Sequence, residues 1–178
     1  RKINLSPKPY GKLQFAKATL QSASGSIESG WEITEDGALT FTFEVPFHTT
    51  AEVILPDALL ETIKVNGREL VNSRFAAKQE GRYVKCGLMA GKYVFDYMPT
   101  ASYILTYSTN NSLSELLNNE ETKKIFEEEL PEVAGNPIVQ GPFAEKTLRE
   151  IVNIPLFSRF APSEKLDELD KRLELVRQ

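Results

Sequence analysis

The sequence holds one histidine and one cysteine, and these two residues limit the chemistry open to it. A nucleophile–histidine pair would have to use His48, which sits between Pro46 and Thr49-Thr50. No nucleophile or orienting acid stands at a recognisable spacing from it, so a turn hydrogen bond is the expected role. Cys86 has apolar and basic neighbours and reads as a buried, inert thiol. A lone cysteine excludes an internal disulfide and a thiolate-built metal site, and a lone histidine excludes a His-rich one. Carboxylates are plentiful, with Glu28, Glu32, Glu44 and Glu52 at alternating positions. Division of acid and base roles between two carboxyls needs one with a raised pKa, and solvated strand faces do not supply that. These four read as charged outer faces, and Glu127-Glu128-Glu129 as a solvated helix face. The expectation is therefore no catalytic residue, no cofactor-binding residue and no metal ligand. Asn110-Asn111-Ser112 matches a glycosylation acceptor pattern, to which we attach no functional weight.

Aromatic residues are the other group able to hold a ligand, by stacking. Trp31 shares its parity with Ile27 and Ile33 and is expected in the core. Phe41 and Phe43 are assigned to the core on the same argument. On the opposite parity Thr and Glu dominate. Tyr10, Tyr83, Tyr97 and Tyr103 are the aromatics that the pattern does not bury.

The elements that would position these residues change character near Pro99. Before it, apolar and polar residues alternate between closely spaced turn signals, the mark of an antiparallel β domain. Ile27–Ile33 and Leu39–Val45 are expected as strands joined by Asp36-Gly37, read as the positive-φ pair of a tight turn. Ala51–Leu55, Ile63–Val65, Arg68–Val71, Arg82–Cys86 and Gly91–Tyr97 follow, with Asn66-Gly67 as a second hairpin turn. Strands around Ile3 and Phe15 bring the total to about eight, the number of a sandwich or jelly roll.

After Pro99 the β pattern survives in Tyr103–Tyr107, and then helices are expected. Ser112 and Glu115 fit a capping box, and Glu120–Leu130 is a strong helix former ending before Pro131. Val133–Pro142 reads as a loop and Phe143–Ile154 as a helical run. Ser163 is expected to cap a last helix carrying Leu166, Leu169, Leu173 and Val176. Such short helices must pack on one another or on the sandwich. The fold class is mainly β with an α tail: an antiparallel sandwich or jelly roll over residues 1–98, then a helical extension over 99–178 with a short strand and three to four helices.

The 178 residues carry a net charge of −4 with scattered basic residues, which argues against a nucleic-acid surface. No apolar run is long enough for a membrane helix, and no leader-like segment opens the chain. Arg1 in place of Met, with Lys2-Ile3-Asn4-Leu5 already strand-like, predicts a segment cut from a longer protein. The compartment of that parent stays open, periplasmic and extracellular settings included.

Ala16-Lys17-Ala18, then Ser24-Gly25-Ser26-Ile27-Glu28-Ser29-Gly30-Trp31, then Val45-Pro46-Phe47-His48-Thr49-Thr50-Ala51-Glu52-Val53-Ile54-Leu55-Pro56, run in one order. This resembles the C-terminal domain of bacterial α-L-rhamnosidases, and Ile63–Gly67 and Gly91–Phe95 continue the likeness over about the first 98 residues. His48 departs from the family pattern, which often has Asn there. The resemblance implies a parent that hydrolyses terminal α-L-rhamnosyl groups with inversion, using carboxylates of a preceding (α/α)6 barrel. It carries no catalytic residue onto this chain. The expected function is a non-catalytic accessory domain whose partner is that barrel. The alternative is a carbohydrate-binding module with weak contact to rhamnose-containing glycans. A free-standing hydrolase and a partner-binding tail from Ser163 onward rank below both.

Overall fold

A computed structural model describes residues 1–71 and 74–178 of the chain and divides them into two compact units, Arg1–Ile104 and Leu105–Gln178. The first unit is built from two sheets. A four-stranded sheet runs in the order β1 (Lys2–Leu5), β5 (Thr50–Pro56), β9 (Tyr83–Leu88), β8 (Lys78–Glu80). A six-stranded sheet runs β2 (Phe15–Ser22), β3 (Gly25–Ile33), β4 (Leu39–Val45), β10 (Gly91–Tyr97), β6 (Lys64–Val65), β7 (Arg68–Glu69). Every ladder is antiparallel except β1 on β5, where Lys2–Leu5 run parallel to Thr50–Val53.

Alternation decides which residues meet between the sheets, because successive strand side chains point to opposite faces. Val53, Leu55, Val84, Cys86 and Leu88 of the smaller sheet join Trp31, Phe41, Phe43 and Phe95 of the larger in one core cluster. The rings of Phe41 and Phe43 stack at 6.2 Å, and Phe95 meets Phe43 edge-on at 5.9 Å. The mainly β sandwich with an α tail is therefore the observed architecture, with ten strands among the described residues rather than about eight. The strand that was not expected is β8, of three residues, while the expected Ile63–Val65 and Arg68–Val71 shorten to β6 and β7 with two residues each.

Two turns test the local chemistry. Asn66 (φ 49°) and Gly67 (φ 76°) both adopt the left-handed conformation expected of a two-residue hairpin. At Asp36-Gly37 only Gly37 does, at φ 90°. The Thr34 N–H donates to the Ala38 carbonyl, and the Gly37 N–H to that of Thr34, so this is a longer loop closed by a left-handed glycine. The Asp36 carboxylate accepts from the Thr34 hydroxyl within this loop.

In the second unit the expected strand at Tyr103–Tyr107 is reduced to a single bridge, Thr106 with Arg177. Seven helices follow among the described residues: α1 (Leu113–Asn118), α2 (Glu120–Glu129), α3 (Pro131–Ala134), α4 (Pro137–Gln140), α5 (Leu148–Ile151), α6 (Pro155–Ser158) and α7 (Ser163–Leu173). Four of them are a single turn. The region read as a loop, Val133–Pro142, holds the end of α3 and all of α4, each helix started by a proline at its first position. Of the run Phe143–Ile154 only Leu148–Ile151 is helical, opened by a capping box of Thr147 and Glu150. The Ser112–Glu115 box forms as expected, whereas Ser163 does not cap α7: Pro162 holds that position and offers no side-chain bond. Leu113, Leu116, Phe126, Leu148, Phe157 and Leu169 are among the members of a core cluster of this unit's own. These helices therefore pack on one another.

Candidate functional site

Two regions of the sandwich gather residues able to act on something outside it, and a third gathers polar groups that serve the fold. The first is the outer face of the six-stranded sheet. Directly paired residues in an antiparallel ladder share a face. Lys17, Gly30 and Thr42 thus form one row across β2, β3 and β4, flanked by the row Phe15, Glu32, Thr40, Asp96. On the other side Glu28 stands opposite Glu44. Two like charges across a ladder repel, and Lys17 at 2.8 Å from Glu28 and Lys92 at 3.4 Å from Glu44 offset that repulsion. The Thr40 hydroxyl donates to Asp96 at 2.7 Å. Between the rows lies a shallow cavity of about 260 Å³ with Phe15, Lys17, Glu28, Gly30, Glu32 and Thr42 in its lining.

The second region is the end of the sandwich where the β2–β3, β4–β5 and β9–β10 connections meet. Phe47 is 80% exposed and Met89 68%. A cavity of about 310 Å³ there is lined by Gly25, Pro46, Phe47, Ala90 and Gly91 among others. Nearby on β2, Leu20 pairs with Ile27 and is 63% exposed although its parity is that of the core. The eight-residue edge strand β2 is exposed along most of its length.

The third is a polar knot at Asp57, whose backbone is left-handed at φ 46°. Its carboxylate accepts from Arg82 at 2.6 Å and from the Tyr103 hydroxyl at 2.6 Å, and its carbonyl accepts the Thr100 N–H at 2.7 Å. Burial pushes the Tyr103 hydroxyl up, helped by its hydrogen bond to Asp57. Tyr97, donating to the Pro56 carbonyl at 2.6 Å, is likewise raised by burial. These bonds join parts of the fold to one another, so the knot fastens β5 to the Arg82 turn and to the segment after β10.

Residues singled out in the sequence fall as follows. Trp31, Phe41 and Phe43 lie in the core. Tyr10 and Tyr83 are exposed, while Tyr97 is buried and Tyr103 is tied into the Asp57 knot. Glu52 sits between Lys2 at 2.8 Å and Lys85 at 3.0 Å, and hydrogen bonds from the two ammonium groups, Lys2 first, hold its carboxyl below the usual range. Burial pushes the Cys86 thiol up to about 12. His48 adopts φ 56°, and its carbonyl accepts from the Arg1 backbone nitrogen at 3.4 Å. That conformation accounts for the departure from Asn, because His shares with Asn an enrichment at left-handed positions. The Glu127–Glu129 run is not merely a solvated face: Arg172 of α7 reaches Glu128 at 2.7 Å and Glu129 at 2.6 Å. Sequence reasoning missed Phe15, 68% exposed on the outward parity; its pairing with Glu32 is the signal that places it there.

Comparison with known proteins bears on the sandwich. Residues 1–69 match the family model described as the bacterial alpha-L-rhamnosidase C-terminal domain. An alpha-L-rhamnosidase of Formosa agariphila is 34% identical over 95 residues, which is 52% of this chain and 10% of that protein. A second one from the same organism is 30% identical over 96 residues, again 52% of this chain and 10% of the relative. The chain thus spans about a tenth of the length of the curated relatives it matches. Among solved structures, the alpha-L-rhamnosidase from Dictyoglumus thermophilum is similar at 26% identity and a TM-score of 0.48, over 55% of this chain and 11% of that one. A Streptomyces avermitilis alpha-L-rhamnosidase complexed with L-rhamnose gives 24% and 0.43, over 52% and 9%. The likeness read from the residues is shown, and it rests on the N-terminal sandwich.

Proposed function

We propose that the chain is a non-catalytic accessory part of a bacterial α-L-rhamnosidase, whose sandwich packs against and stabilises the parent's catalytic barrel. In this reading residues 1–98 are the accessory domain and 99–178 its helical extension. The parent cleaves terminal α-L-rhamnosyl groups with carboxylates that stand elsewhere in its chain. The observation that carries the reading is the apolar end of the sandwich. Phe47 and Met89 project into solvent beside an apolar-lined cavity, and Leu20 lies uncovered on an inward-parity position of β2. Exposed apolar residues gathered at one place mark a surface that another protein surface covers. Among the described residues of the helical unit, by contrast, the exposed large hydrophobics are Ile138, Leu156 and Leu175.

The test is made in the parent enzyme. Phe47→Asp, placed in the full-length protein, is expected to lower the barrel's unfolding temperature by several degrees, because a charge is forced into an apolar contact. Equal unfolding temperatures for the wild type and the variant would remove the packing role. The 178-residue chain alone is expected to leave a chromogenic α-L-rhamnoside intact, and measurable hydrolysis by it would overturn the non-catalytic assignment.

A further inference from the structure

We infer that the outer face of the six-stranded sheet carries a binding site for a single neutral sugar ring, floored by Gly30 and walled by Phe15. Gly30 stands on the outward parity of β3, where neither a left-handed backbone nor a close contact calls for a glycine. It lies in the interior of β3, where glycine weakens a strand for want of a side chain and through its backbone freedom. Its backbone is not among the left-handed ones. A Cβ built on it would meet nothing closer than the Ala16 carbonyl oxygen at 3.5 Å and the Lys17 stem at 3.7 Å, both ordinary contacts. Neither conformation nor packing therefore excludes alanine here. A strand glycine without a local reason marks a place where something else approaches the backbone closely.

What surrounds Gly30 defines that something. Phe15 is 68% exposed and lines the same cavity, offering a ring face to the apolar side of a sugar. Glu28 and Glu32 supply acceptors for hydroxyl groups, and the Thr42 hydroxyl stands in the same wall. Lys17 is the one basic residue of the lining, and it is engaged with Glu28 at 2.8 Å. Two carboxylates against one committed ammonium group give the cavity a negative balance, which selects against uronates and other anionic sugars. A volume of about 260 Å³ lies just under the usual range for small-ligand sites, about 300–1,000 Å³, and suits one ring rather than a chain.

The inference rests on the proposed function only for the choice of first probe, methyl α-L-rhamnoside. Titration of the 178-residue chain with this glycoside, followed by nuclear magnetic resonance, is expected to shift backbone signals of residues 15–17, 28–32 and 40–42, with millimolar affinity. Phe15→Ala is expected to weaken binding about tenfold. Gly30→Val fills the floor and is expected to abolish binding while leaving the unfolding temperature unchanged or higher, because valine favours a strand. A purely structural Gly30 would show the opposite, a lowered unfolding temperature with unchanged affinity. D-Glucuronate is the anionic control, expected to leave the signals in place. Absence of shifts with methyl α-L-rhamnoside, methyl α-D-glucoside and methyl α-D-mannoside alike overturns the site. So does unchanged affinity in both variants, or equal binding of the glucuronate. None of these results touches the packing test, which reads the stability of the barrel through Phe47.

Discussion

Cys86 shows how burial governs a single reactive atom. Its side chain lies in the core of the sandwich, and burial raises the thiol from its ordinary 9.0 to about 12. The thiolate is the reactive form, so the folded protein is expected to resist Ellman's reagent at about pH 8 and to yield one thiol in denaturant. With the folded value raised, the contribution of the neutral thiol to stability is whole below pH 9.0 and is lost as pH rises toward about 12. Asp57 makes a second case. Asp57→Ala leaves Arg82 and the Tyr103 hydroxyl without their acceptor and puts an alanine at φ 46°. A loss of about 1–2 kcal/mol is expected, read as a lower urea midpoint for the sandwich. The core positions of Trp31, Phe41 and Phe43 were legible because strand alternation has a short, fixed period. Phe15 was not, since the first residue of a strand shows its face only once its partner, Glu32, is known.

Among the elements, the pairing of α2 with α7 rests on charge as well as on Leu169 and Phe126. Hydrogen bonding from Arg172 holds the Glu128 carboxyl below its ordinary 4.5. A depressed value contributes stability above the ordinary pKa and loses it as pH falls through the folded one. The helical unit is therefore expected to weaken below about pH 4.5, and Glu128→Gln to flatten that dependence in urea titrations between about pH 6 and 3. An unchanged slope in the variant would assign the acid sensitivity to other groups. The long helices α2 and α7 were readable from their apolar spacing. Single-turn helices such as α3 and α6 were not, because four residues are too few to display a period and their start signal is one proline each. The parallel pairing of β1 with β5 is equally silent in the sequence, since alternation fixes faces and leaves strand neighbours undetermined.

For the molecule as a whole, the decisive fact is that each unit has a core built from its own residues. Residues 1–104 are therefore expected to fold alone, with the chemical shifts of the sandwich retained after removal of 105–178. Leu169→Ala, in a fully buried position, is expected to cost about 2–5 kcal/mol, enough to melt a small unit. Calorimetry of this variant should show the sandwich transition in place and the helical one displaced to lower temperature or absent. Loss of both transitions together would mean that the two fold as one. The change of character near Pro99 was legible because alternation gives way there to helical spacing. How the later helices share one core was not, for it depends on contacts distant in sequence.

The Gln178 N–H donates to the Leu105 carbonyl at 2.9 Å, the Tyr107 N–H to that of Val176 at 3.1 Å, and Thr106 bridges Arg177. Residues 105–107 and 176–178 thus lie side by side. A short linker joining these two stretches, with a new opening cut in an exposed turn, is expected to leave the helical core folded, as the far-ultraviolet dichroism of such a permuted chain would show.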